Sequence, residues 1–336
     1  MDGIAIIDKP EGWTSHDVVA RVRRLLKEKR VGHTGTLDPF ATGVLVVLCG
    51  RATRLAQFLS GAEKEYEAII RFGYATETGD ATGERKGEVR SLNSEVRSPR
   101  SEVQGPGSEV QSLKSEGQSE RLWTDDEIEA ALASLRGEIE QVPPMYSAKK
   151  VQGRKLYELA RAGASVERAA VRVTVQEFEA LLTGGLLLRH EADGTCLLTA
   201  RVRCSAGTYV RTLAESLGER LGVGAHLLSL RRTRAGDFSI EQAVTLEELQ
   251  RLADEGGAME RWLLPLSAAL KHLGAARLTD EAARAALHGR AVRAAEDYRD
   301  GQLVGMYDGA GQLIAVAAYD EGAQALRPRV VLASEK

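Results

Sequence analysis

The chain has 336 residues, 43% of them hydrophobic, and a formal net charge of −3. That length is ample for two domains with sizeable cores. The sequence contains no apolar run of about 18 residues, which excludes a transmembrane helix. Cys49, Cys196 and Cys204 are odd in number and lack Cys-x-x-Cys pairing, and the six histidines are scattered. These patterns exclude a disulfide framework and a zinc site, so reduced thiols and no metal are expected. Met1-Asp2-Gly3-Ile4 offers no basic region ahead of an apolar one. No signal peptide is therefore expected, and the expected location is cytoplasmic.

In chain order, Gly3 to Ile7 reads as a strand. Ser15 reads as an N-cap, ahead of Val18, Val19, Val22, Leu25 and Leu26 at helical spacing. The segment from Gly32 to Gly43 is rich in glycine and holds Pro39, which predicts a loop. Val44 to Leu48 behind it has the length and β-branching of a buried strand. Lys64 to Phe72 suits another strand. Ser-Glu pairs then recur at Ser94, Ser101, Ser108 and Ser115. Pro99, Pro106, Gly105 and Gly107 break any helix there, so residues 85 to 121 read as a disordered, low-complexity insertion. Thr124, followed by Asp125, Asp126 and Glu127, starts a second helix. Strands are predicted at Val171 to Phe178 and Leu197 to Cys204, then a helix from near Thr208.

After Pro265 the sequence gives an Ala-rich, helix-like stretch and then β segments at Leu303 to Asp308, Leu313 to Ala318 and Arg327 to Leu332. Asp308-Gly309-Ala310-Gly311 joins the first two as a hairpin. Strands interleaved irregularly with helices predict an α+β fold with a mixed, largely antiparallel sheet. The expected division is a larger domain over residues 1–265 and a small β-barrel over 276–333. Gly222-Val223-Gly224 lacks the third glycine of a dinucleotide-binding fingerprint.

The segment Gly32-His33-Thr34-Gly35-Thr36-Leu37-Asp38-Pro39-Phe40-Ala41-Thr42-Gly43 places one carboxylate in a loop braced on a buried strand, a common way to position a catalytic group. The string resembles the catalytic motif of the TruB family of tRNA pseudouridine synthases, which convert a T-loop uridine to pseudouridine. Five more segments match that family in the same order: Lys9 to Ser15, Lys64 to Ala68, Pro143 to Lys149, Cys204 to Thr212 and Gly224 to Arg232. The resemblance covers roughly residues 3 to 265. The C-terminal β segments are similar to the PUA domain that follows the catalytic domain in this family.

The resemblance implies the pseudouridine synthase fold and a reaction that exchanges an N1–C1′ bond for a C5–C1′ bond on the same base. Such an exchange needs no redox step and no external group, so no cofactor is expected. It needs a carboxylate near the ribose, as nucleophile at C1′ or as base at C2′, and Asp38 is the candidate for either role. Arg211 corresponds to the cation that keeps this carboxylate ionised and oriented. Tyr66 is placed against the flipped uracil, Tyr209 beside it, and Leu230 in apolar contact with it. His33 corresponds to the residue that fills the space left by extruded bases. Lys9 belongs to the rim of the site or stabilises the turn at Pro10.

The modest net charge hides segregation. Met145 to Arg172 holds seven Lys/Arg against Glu158 and Glu167, and Arg201 to Ala235 holds seven Arg against Glu215 and Glu219. Such stretches are the footprint of a phosphate-tracking face, with Lys149 and Lys150 as candidate backbone contacts. The expected partner is the T stem-loop of tRNA, with no membrane, no obligate protein partner and a monomeric state. Two other readings use the same features: a guide-RNA-dependent relative working with partner proteins, and a non-catalytic RNA-binding module in which Asp38 is idle.

Overall fold

The computed structural model describes residues 1–87, 123–147, 149–151, 154–156, 159 and 166–332, and excludes the side chains of 150, 151, 154 and 155. In chain order the elements that matter are β1 (Gly3–Lys9), α1 (Ser15–Leu25), β2 (Val31–Thr34), β3 (Thr42–Cys49), β4 (Lys64–Phe72), α2 (Asp125–Ala133), β5 (Gly137–Gln141), β6 (Val171–Leu181), β7 (Cys196–Cys204), α3 (Val210–Arg220), β8 (Ala225–Ala235), α4 (Leu246–Asp254), β9 (Gly274–Arg277), α5 (Asp280–Leu287), β10 (Val292–Arg293), β11 (Leu303–Tyr307), β12 (Leu313–Asp320) and β13 (Ala325–Val331). By packing, the chain divides into one unit of Met1–Glu67, Arg203–Gly207 and Leu230–Lys336, and another of Ala68–Val202 and Thr208–Ser229. β4 and β8 each run from one unit into the other.

In the first unit β3 is the central strand. It pairs antiparallel with β1 and with β2, and parallel with the end of β8, where Arg231 faces Thr42 and Arg232 faces Gly43. Being covered on both faces explains its unbroken apolar run. Val44, Val46 and Leu48 point into one core, and Leu45, Val47 and Cys49 into another. Val18, Val19 and Val22 of α1 and Leu246 and Leu249 of α4 pack on the second face. Leu313 and Val316 of the C-terminal sheet, with Leu332 just past its last strand, share the first core. That sheet is a curled half-barrel with strand order β9-β11-β12-β13-β10, mixed because β9 joins β11 in parallel. Its β11–β12 hairpin forms as the Asp308 turn predicts: the Asp308 carboxylate accepts from the Ala310 and Gln312 N–H groups at 3.0 and 2.8 Å.

In the second unit β6 pairs antiparallel with β5 and neighbours β7. α2 opens with a capping box in which Thr124 and Glu127 satisfy each other's backbone N–H groups. Cys49, Cys196 and Cys204 are buried and are not joined in disulfides. Burial pushes the Cys49 thiol up to about 12 and the Cys196 thiol up to about 11.

The mixed α+β architecture agrees with the sequence reading, while several local expectations need correction. Thr14, not Ser15, caps α1: its hydroxyl accepts from the Asp17 N–H at 3.1 Å, and the Asp17 carboxylate accepts from the Thr14 N–H at 3.0 Å. Gly32, His33 and Thr34 belong to a strand, because pairing with β3 overrides glycine's weak strand preference. The Ala-rich stretch after Pro265 is a 3-10 turn, Leu266–Leu270, with the α-helix beginning only at Asp280. Of the expected insertion, Arg85 and Lys86 pair antiparallel with Thr76 and Ala75, and residues 88–121 lie outside the described residues.

Candidate active site

Asp38 lies in the loop 35–41 between β2 and β3, and both of its neighbours are anchored. The Leu37 N–H donates to Ser15 Oγ at 2.9 Å, and the Ser15 hydroxyl donates to the Leu37 carbonyl at 3.1 Å. The Pro39 carbonyl accepts from the Gly12 N–H at 2.8 Å and from Lys9 Nζ at 3.1 Å. The Lys9 ammonium also donates to the carbonyls of Pro10 and Trp13 at 2.8 and 2.7 Å, so its three protons meet three backbone oxygens. Lys9 is fully buried. Burial holds its pKa down at about 8, with the Asp38 charge acting in the opposite direction. These bonds tie Lys9 to the turn at Pro10 and to the Asp38 loop.

A second layer stands behind the loop. β4 alternates strictly, with Lys64, Tyr66, Ala68, Ile70 and Phe72 buried. Lys64 Nζ donates to the carbonyls of Ser60, at 3.0 Å, and Ala62. Burial lowers its pKa to about 8, and the Arg232 charge adds to that. The buried Arg232 guanidinium donates through Nε to the Val44 carbonyl at 2.7 Å and through Nη2 to the Gly35 carbonyl at 3.0 Å. The Tyr66 hydroxyl faces this same guanidinium; burial raises the phenol's pKa and the Arg232 charge opposes the rise. Close approach of β3 and β8 demands glycine at position 43, where φ is +98° and a Cβ would lie 2.2 Å from the Arg232 carbonyl oxygen. Around the edge, Arg231 binds both oxygens of Asp8, at 3.1 and 2.7 Å, and Arg234 pairs with Glu65 at 3.1 Å.

His33, at the end of β2, is half-buried and meets the His16 ring edge-on at 5.6 Å between centroids. Burial holds its pKa down at about 4, with smaller contributions from His16 and Arg232, so the ring is neutral at pH 7. Leu230 is buried in β8.

The second unit carries the remaining expected residues. Arg211, in the first turn of α3, is buried and donates to the Thr78 and Tyr146 carbonyls at 2.7 and 2.6 Å, with Asp80 Oδ2 at 3.8 Å. Asp80 organises the 76–83 turn: its Oδ1 accepts from the Thr78 hydroxyl, the Thr82 N–H and the Thr82 hydroxyl at 2.8, 3.0 and 2.5 Å. Tyr209 caps α3 and is half-buried, its backbone clamped at both ends by the Gln141 amide at 3.0 and 3.3 Å. Lys149 is half-buried, and the Lys150 side chain lies outside the described residues. Among the described residues no cluster of His, Cys, Asp and Glu could hold a metal ion.

The family model described as TruB family pseudouridylate synthase (N terminal domain) matches residues 23–106 and 106–210, and that of the tRNA pseudouridylate synthase B C-terminal domain matches 211–271. The chain belongs to the TruB family. It is an RNA pseudouridine synthase. Among TruB-family relatives, the tRNA pseudouridine synthase B of Geobacillus thermodenitrificans is 45% identical, over 87% of this chain and 86% of its own. That of Pseudomonas aeruginosa is 40% identical over 99% and 97%. A solved structure of a Cbf5-Nop10-Gar1 complex is 26% identical with a TM-score of 0.67, covering 99% of this chain and 85% of that one.

Against that TruB background, sequence reasoning missed several residues that build the site. Ser15, an expected cap, is instead the partner of the Asp38 loop. Lys64 had a usable signal, since strand alternation from Phe72 back through Tyr66 puts it on the buried face. Arg232 closes the matched segment Gly224 to Arg232, but its partners Gly35 and Val44 carried no local signal, and neither did Gln141, because these pairings join distant strands and turns.

Proposed function

We propose that this TruB-family chain isomerises a uridine of tRNA to pseudouridine, acting on the T loop through Asp38. The observation that carries the reading is the anchoring of Asp38, whose two neighbours are fixed to the turn of residues 9–15 by Ser15, Gly12 and Lys9. A pre-fixed carboxylate spends no binding energy on ordering itself at the moment of reaction. As nucleophile, its ionised form displaces N1 from C1′ and is itself displaced when C5 of the turned base bonds there; as base, it takes the C2′ proton while N1 departs and returns it when C5 bonds to C1′. C5 then loses its proton and N1 gains one, so no atom is added or lost overall.

Tyr66 supplies the buried aromatic face for the flipped base, with Leu230 as an apolar contact and His33 as a neutral ring at the loop end; these roles, and that of Tyr209, rest on the resemblance. A neutral imidazole suits that place, because it fills space left by bases without adding a charge to desolvate. The role of Arg211 as the cation that keeps a carboxylate ionised rests on the resemblance, as do the backbone contacts of Lys149 and Lys150. Identity of 40–45% with relatives named tRNA pseudouridine synthase B, against 26% with the Cbf5 complex, favours the unguided reaction.

The test is a nuclease digest of unmodified tRNA treated with the pure chain. Pseudouridine at the T-loop position, formed without guide RNA or partner protein, supports the proposal. Product only with a guide complex indicates the guided reaction. Tight tRNA binding without product indicates the non-catalytic module.

A further inference from the structure

We propose that Arg232 is a positioning residue that sets the Asp38 loop and the Tyr66 ring as one assembly. Its guanidinium bonds one carbonyl from each side of that loop: Gly35, three residues before Asp38, and Val44, six residues after it. A planar fork of N–H donors spans these two points in one fixed geometry, which an ammonium on a flexible stem does not reproduce. The Tyr66 hydroxyl faces the same group, so one rigid plane references both the carboxylate loop and the stacking ring. Gly35 has φ at +82°, a left-handed backbone that side-chain-bearing residues rarely adopt, and this turn presents its carbonyl to Arg232 Nη2.

The electrostatics point the same way. Arg232 is buried with the Lys9 and Lys64 ammoniums close enough for its charge to depress both of their pKa values. Collecting three cations in one buried layer is costly, and a clamp needed only for stability could be apolar or neutral. The arrangement is explained if the fork's geometry serves turnover. Misplacing a reacting group by about 1 Å can cost about 100-fold in rate.

The inference rests on the pseudouridine synthase reading, so wild-type turnover on tRNA is measured first; absence of product there would sink that reading and not this one. In Arg232→Lys the positive charge stays and the fork is lost. Single-turnover rate should fall about 10- to 100-fold. Affinity for tRNA should stay close to wild type, and the melting temperature should fall because a buried carbonyl loses its donor, so rates and affinities are compared well below it. A rate within about threefold of wild type, or parallel loss of rate and affinity, overturns the proposal. If Arg232→Lys does not fold, the decision passes to Tyr66→Phe and Arg232→Gln, alone and combined, with rates taken well below the melting temperature. Rate losses that fail to multiply in the double variant support a shared assembly; simple multiplication refutes it.

Discussion

Ser15 and Leu37 exchange two hydrogen bonds across a separation of 22 residues, each acting once as donor and once as acceptor. The residue after Leu37 is Asp38, so the first turn of α1 holds the loop of the candidate nucleophile or base. Replacing Ser15 by Ala strands a buried N–H and a buried carbonyl together. Stability should drop by about 1–3 kcal/mol, and turnover should fall further than tRNA affinity. Denaturant unfolding alongside single-turnover kinetics checks both halves; an unchanged rate at reduced stability would leave Ser15 a purely structural residue.

Asp38→Asn keeps the shape and removes the charge. Phosphate contacts and stacking supply affinity while the carboxylate supplies chemistry, so binding should persist and product formation should fall on the order of 1000-fold. A matching loss of binding would assign Asp38 to folding instead.

His33 should leave a signature in acid. Its folded pKa of about 4 lies below the ordinary 6.5, so between these values the unfolded chain binds the extra proton and the folded chain resists it. Stability from this group is therefore present above pH 6.5 and is lost as pH falls toward 4. His33→Gln should flatten the wild-type decline over that window, measured as the difference between the two proteins. Parallel curves would show that His33 titrates freely.

Affinity for tRNA should fall with salt by roughly 0.7–0.9 in log–log slope for each neutralised phosphate. Changing Lys149 and Lys150 together to Ala should flatten the slope by about 1–2 if both reach phosphate. The modified uridine should not change, because backbone contacts carry no base information. An unaltered slope would take this pair out of the interface.

Residues 90–120 combine a repeated Ser-Glu motif with several helix breakers. If this composition makes a surface loop, as the sequence reading expects, their deletion should leave melting temperature and turnover nearly as they were, since loop length enters stability only logarithmically. A large fall in turnover with an intact fold would give this tract a function.

The sequence exposed the site where local rules and burial agree. β3 could be read from five consecutive apolar residues, and the structure shows why: both faces are covered. The Thr124 helix start and the Asp308 hairpin were legible because capping and turn chemistry act over three or four residues. The Ser15 expectation missed by one position, since Thr14 and Ser15 are equally good caps and only the Leu37 partnership separates them. Arg232 is the opposite case. Its strand register opposite Gly43 and its grip on Gly35 join parts of the chain almost two hundred residues apart, and nothing within a local window specifies either.

The buried thiols give the molecule an internal reporter of its own opening. A thiol held at about 12 or 11 and shut off from solvent is nearly inert to alkylating reagents in the folded state, whereas an exposed one reacts at ordinary thiolate rates. Alkylation then measures how often the chain around it opens. Cys49 lies in one packing unit and Cys196 in the other. Mass-resolved labelling of the two therefore times each unit separately: equal rates mean that the units open together, and unequal rates identify the one that yields first.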